Sequence, residues 1–306
     1  MYLLQTNHLT KTIGEKELVS DVNLHVRKGE IYGFLGPNGA GKTSVMKLIA
    51  NLWKPTAGSI ELFGETLTPR SYEVLKRMGT MIEFPVFYDH MTGRENLELH
   101  CAYMGYSCPS SVEQALEELD LTAAAGKPVR QYSLGMRERL GIARAILCKP
   151  EFLMLDEPTN GLDPAGMRQI RELFERLCRE YGMTLLISSH ILSEVGSIAD
   201  TVGIIHHGRL VKEVSMAEIE QTNLDYIELA VLDERRAAYV LTEKLGIGNF
   251  KIVERGVFRV YDGRVTAQEL AKTLALHEVA LVSLVRKTES LEDYFLKLTA
   301  EVEQDA

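Results

Sequence analysis

Gly36-Pro37-Asn38-Gly39-Ala40-Gly41-Lys42-Thr43 follows the spacing G-x-x-x-x-G-K-[ST]. Its glycines leave the backbone free to close around an anion, so that successive N–H groups point at it. Lys42 adds a mobile positive charge for the outer phosphates of a nucleotide, and Thr43 adds a hydroxyl suited to Mg²⁺. Positions 36–44, ending at Ser44, are the candidate phosphate cradle. A second constellation is Phe152-Leu153-Met154-Leu155-Asp156-Glu157, an apolar run that ends in two acids. An acid at the tip of a buried strand needs a partner, and nucleotide-bound Mg²⁺ is a natural one. On that reading Asp156 holds the metal and Glu157 polarises an attacking water as general base. Alone, an acid after a strand is often only a helix cap. Behind a phosphate loop, the pair implies hydrolysis of a nucleotide.

These groups must be positioned by a sheet and its helices. Residues 31–35, 152–155 and 184–187 are short apolar runs that predict buried strands, and 42–52 predicts a helix. Apolar runs alternating with helical patterns over the first ~215 residues indicate an α/β fold with a mostly parallel sheet. Between them, about 87–145 is mainly helical in pattern. Leu97, Tyr103 and Met104, with Leu116, Leu119 and Leu121, recur at helical spacing and are read as the core of a helical subdomain. After Ser215 the pattern changes. Strand-like 225–231, helical 235–245, strand-like 251–253 and 257–261, helical 267–276 and strand-like 281–285 give the order β-α-β-β-α-β. That predicts a small α+β C-terminal domain over 221–306, with a boundary near Gln221-Thr222-Asn223 and a last helix at 291–298. His206-His207-Gly208, between two apolar runs, reads as a hairpin turn rather than a metal site.

Bulk properties exclude several classes. At 306 residues the chain has room for roughly two domains. Its 45% hydrophobic and 25% charged content is that of a globular protein. A net charge of −9 denies it an overall electrostatic footprint for nucleic acid. No stretch approaches the ~20 apolar residues of a membrane span, and residues 1–7 lack the basic and apolar regions of a leader. Cys101, Cys108, Cys148 and Cys178 form no Cys-x-x-Cys pair and read as free thiols.

Three further motifs follow in order. Tyr132-Ser133-Leu134-Gly135-Met136-Arg137 precedes the acid pair, Asn160-Gly161-Leu162-Asp163 follows it, and Ser188-Ser189-His190 ends the next strand. With these the chain, from Leu3 to about Glu218, resembles the ATP-binding-cassette ATPases, whose signature, D-loop and switch histidine they match. The resemblance implies a P-loop NTPase cassette over 1–220 with ATP and Mg²⁺ as cofactors. Ser133 reads independently as a helix N-cap whose hydroxyl and neighbouring N–H groups can bind an anion. In the family that anion is the γ-phosphate held by the opposite subunit, so Ser133, Gly135 and Asp163 join the nucleotide-binding set and a second cassette is required. A homodimer is expected, with a heterodimer as the alternative. His190 is assigned to the γ-phosphate and the attacking water.

Three positions depart from the family pattern. Glu83 stands where Gln is usual and becomes a charged candidate Mg²⁺ ligand beside Thr43 and Asp156. Ile13 stands where many cassettes stack adenine on an aromatic ring, so apolar contact is kept and π-stacking lost. Glu138 replaces a common Gln just after the signature, with no physical reason visible in the sequence. Glu83 and Leu134-Gly135-Met136 are similar to ATPases of bacitracin- and lantibiotic-type peptide export and immunity systems. The resemblance therefore implies the motor subunit of an exporter, acting at the cytoplasmic face of the membrane through a separate transmembrane permease. Import is the second reading. A soluble cassette acting on ribosomes or DNA is disfavoured by the single cassette, the lack of long heptad runs and the negative charge. The C-terminal domain is read as a non-catalytic accessory, and Ser290-Leu291-Glu292-Asp293-Tyr294-Phe295-Leu296 is similar to the tails of drug-export ATPases.

Overall fold

A computed structural model of the chain describes residues 1–106, 109–221 and 225–288. Cys108, Thr222-Asn223, the expected helix at 291–298 and the tail motif lie outside the described residues. Among the described residues the chain divides into two compact units, one through Met216 and one from Ala217 to Thr288.

The first unit opens with strand β1 (Tyr2–Ile13), which turns back as β2 (Lys16–Val22) and β3 (His25–Arg27) before β4 (Ile31–Leu35) enters the interior. Helix α1 (Lys42–Ile49) follows, then β5 (Ala57–Leu62), β6 (Glu65–Thr66), α2 (Tyr72–Leu75) and β7 (Met78–Met81). Three helices come next: α3 (Gly93–Met104), α4 (Pro109–Glu118) and α5 (Leu134–Ile146). The chain then alternates as β8 (Phe152–Asp156), α6 (Pro164–Arg179), β9 (Thr184–Ser189), α7 (Leu192–Gly196), β10 (Thr201–His206) and β11 (Arg209–Ser215), and α8 (Met216–Gln221) begins at the boundary between the units.

Two sheets result. The antiparallel one runs β2-β1-β5-β6, with β3 also on β1. The interior one runs β11-β10-β4-β9-β8-β7, parallel from β10 to β7, with the β10–β11 hairpin antiparallel at its edge. Every residue of β4, β8 and β9 is buried, which accounts for their continuous apolar runs. Phe34, Phe152, Met154 and Leu186 pack with Val45 and Met46 of α1, fixing that helix over the strand ends.

Local chemistry sets the helix starts. Ser133 caps α5 by accepting the Met136 N–H at 3.3 Å, and Asp163 caps α6 by accepting the Gly166 N–H at 2.8 Å with Pro164 at the first helical position. Helix α1 stops at Ile49, short of the expected 52, because Asn51 takes a left-handed φ of 58° and Leu52 is exposed. Leu97, Leu116, Leu119 and Leu121 are buried as expected, but Tyr103 is 71% exposed and does not belong to that core.

In the second unit β12 (Asp225–Val231) leads into α9 (Glu234–Tyr239), extended by a wider turn over Val240–Lys244. Then come β13 (Phe250–Glu254), β14 (Val257–Val260), α10 (Ala267–Leu276) and β15 (Leu281–Thr288). The sheet order β13-β14-β12-β15, antiparallel throughout, is what two crossover helices require of the β-α-β-β-α-β order. Ile227, Leu229 and Val231 share the buried face with Phe258, Leu241 and Leu270.

Candidate functional site

Register brings the site together. In the parallel sheet Leu35 lies beside Ser189, and Ser188 beside Asp156. The C-terminal ends of β4, β9 and β8 are therefore neighbours, which is where open α/β sheets hold ligands. Residues 36–41 leave β4 there and turn into α1. Gly41 caps that helix at a φ of 109°, which a side chain would strain. A Cβ on Gly36 would stand 2.4 Å from the Ile205 carbonyl oxygen. Strand β10 itself thus forbids a side chain at Gly36, independently of any phosphate.

The side chains converge. Lys42, only 6% exposed, donates to the carbonyls of Gly36 at 2.6 Å and Pro37 at 3.2 Å, and its Nζ lies 3.1 Å from Glu157 Oε1. Thr43 Oγ1 donates to Asp156 Oδ2 at 2.7 Å. Ser188 Oγ donates to Asp156 Oδ1 at 2.6 Å and accepts the Glu157 N–H at 2.9 Å. His190 Nδ1 is 2.7 Å from Glu157 Oε2. Glu157 sits at a φ of 49°, an uncommon conformation for a non-glycine residue. Hydroxyl and carboxylate oxygens are the hard donors Mg²⁺ takes, so Thr43 and Asp156 fit that ion.

A cavity of about 600 Å³ opens over the loop, lined by residues 38–44, Glu157, Lys16-Glu17-Leu18 and His207-Gly208. Ser133, Gly135 and Asp163 gather elsewhere. They line a second cavity of about 480 Å³ with Leu134, Gly161 and Leu162. Among the described residues, none lines both cavities. The phosphate loop and the signature of one chain therefore line two separate cavities.

Two expected residues are placed elsewhere. Glu83, at a φ of 58° and 59% exposed, pairs with Lys47 of α1 at 2.6 Å and lines neither cavity. Half-exposed Ile13 also lies outside both linings. Ser188 is the contributor that sequence reasoning missed. The available signal was a small hydroxyl at the end of a buried strand, but only register set it beside Asp156. Glu138 is 4% exposed on α5, and burial pushes its carboxyl up to about 7. Among the described residues no helix is long and apolar enough to cross a membrane.

Comparison with known proteins places the chain in a family. Residues 19–160 match the family model described as ABC transporter. The chain is 52% identical over 297 residues to the uncharacterized ABC transporter ATP-binding protein YcbN of Bacillus subtilis, covering 97% of each. It is 40% identical to the bacitracin transport ATP-binding protein BcrA of Bacillus licheniformis, again over 97% of each. A solved ATP-binding subunit of an ABC transporter superposes with a TM-score of 0.66 at 28% identity, covering 72% of this chain and 92% of its own. This chain belongs to the family of ABC transporter ATP-binding proteins, the ATP-hydrolysing subunits of those transporters.

Proposed function

We propose that this chain powers export of a peptide antibiotic or a similar toxic compound, as a peripheral subunit on the cytoplasmic face of the membrane. The reading rests on bacitracin transport, the function named for a relative that matches nearly the whole chain. It also rests on the separation of the two cavities, which supports a head-to-tail pair of cassettes. In such a pair the loop of one copy and Ser133, Gly135 and Asp163 of the other would enclose each nucleotide.

Each residue then has a task. The N–H groups of 36–44 and the Lys42 ammonium bind the phosphates. Thr43 and Asp156 would hold Mg²⁺, which neutralises charge on the phosphate oxygens. Glu157 leaves Lys42 for the attacking water and accepts its proton, while His190 orients the Glu157 carboxylate and meets the γ-phosphate. Ser188 holds Asp156 and the Glu157 backbone in place. A homodimer would have two competent sites, since each motif is present. Residues 1–220 form the cassette in this proposal. The unit beyond it carries none of the motif residues and is assigned an accessory role.

Because no membrane-crossing helix occurs among the described residues, the permease is proposed as a separate chain. The test is a tagged pull-down from gently solubilised native membranes. Co-recovery of a polytopic permease, with antibiotic sensitivity when the gene pair is deleted, supports export. Recovery of a solute-binding importer complex, or of ribosomal proteins alone, overturns it.

A further inference from the structure

The β10–β11 turn does more than reverse the chain. His206 pairs with Arg209, leaving a two-residue loop, His207-Gly208, with φ values of 45° and 78°. Positive φ at both positions is the hairpin geometry that matches strand twist. The loop is clamped on both sides. Gly208 N–H donates to the Ala40 carbonyl at 2.8 Å, and the Gly208 carbonyl accepts the Ser20 N–H at 2.8 Å. A Cβ on Gly208 would meet the Leu18 oxygen at 2.7 Å, so the turn is seated tightly against β2 and the phosphate loop.

That seating brings His207 to the wall of the phosphate-loop cavity, beside Lys16, Glu17 and Leu18. Among the described residues it is the one aromatic ring in that lining. Ile13, where the sequence places the base contact, is not part of it. His206 meets the ring edge-on, with centroids 4.1 Å apart and planes at 67°. The His206 Nδ1 is buried and has no hydrogen-bond partner among the described residues.

We propose that His207 is the nucleobase contact of this site. Its imidazole face stacks on the purine of a nucleotide whose phosphates occupy residues 36–44, and so supplies from β10–β11 the ring that β1 lacks at Ile13. The inference rests on the phosphate-loop reading above. Stacking uses the π-face common to all bases, so His207 serves ATP and GTP alike.

Equilibrium binding of ATP, GTP and inorganic tripolyphosphate, each with Mg²⁺, to the full chain tests this. His207→Asn keeps a residue that tolerates the left-handed backbone but removes the ring. It should weaken ATP and GTP roughly tenfold, as loss of one stacked base does, and leave tripolyphosphate unchanged. His207→Ala should behave alike, and His207→Phe should restore both nucleotides. Unchanged nucleotide affinity in His207→Asn and His207→Ala overturns the proposal, as does an equal loss of nucleotides and tripolyphosphate. Lys42→Ala separates the two readings. It should weaken all three ligands, and full binding of all three would overturn the phosphate-loop reading together with this one.

Discussion

The carboxylate of Glu157 and the imidazole of His190 meet at 2.7 Å, Oε2 to Nδ1, across the tips of adjacent strands β8 and β9. The other Glu157 oxygen lies 3.1 Å from Lys42. One carboxylate thus stands between the cation of the phosphate loop and the histidine expected to touch the γ-phosphate. A group so placed can exchange partners when a nucleotide takes up Lys42, which frees an acceptor for water at the moment it is needed.

Glu157→Gln should lower turnover by roughly 10²–10⁴-fold, the usual worth of a general base. ATP binding should persist, and the variant should accumulate as nucleotide-bound dimers. Phosphate release and size-exclusion chromatography with ATP measure both. Normal steady-state hydrolysis would remove Glu157 from the role.

Ser188→Ala takes a donor from Asp156 and leaves the Glu157 N–H without an acceptor. A buried group left unpaired costs about 1–3 kcal/mol, so melting temperature should fall. The kcat should drop more than KM rises, because the misplaced groups act on the reacting centre. Ser188→Thr, which keeps the hydroxyl, should recover both. If kcat holds while stability falls, Ser188 is structural only.

Lys47 engages Glu83 Oε1 at 2.6 Å, so it competes for that carboxylate with a metal at Thr43 and Asp156. Removing the competitor with Lys47→Ala should therefore lower the Mg²⁺ concentration needed for half-maximal hydrolysis, and Glu83→Gln should raise it. Metal titrations that overlay for the wild type and Glu83→Gln would show that Glu83 never contacts the ion.

Glu138 makes stability depend on pH. Its folded carboxyl titrates at about 7, above its unfolded value, so the folded state holds the extra proton between pH ~4.5 and ~7. Stability should fall as pH rises through that window, by up to ~3 kcal/mol from this residue. In Glu138→Gln the decline should flatten, and the variant should be the more stable protein at pH 8. Parallel pH profiles for both proteins would mean that the carboxyl titrates normally.

The motifs were legible because each is contiguous and its chemistry local. A phosphate loop needs its glycines and lysine within a few residues of one another, an acid pair needs one apolar strand before it, and a cap needs only its own helix. From these the sequence alone determined the α/β cassette, the order of its motifs and the β-α-β-β-α-β pattern that follows. Register and long-range packing were not legible. Ser188 joins Asp156 because β9 lies beside β8, and Glu83 pairs with Lys47 on a helix that precedes it in the chain. His207 reaches the phosphate loop because Gly208 hydrogen-bonds Ala40. Each contact joins segments far apart in sequence, and the energy that selects it comes from burying whole sheet faces together. No local pattern records that choice, so only the tertiary structure could decide which side chains share the site.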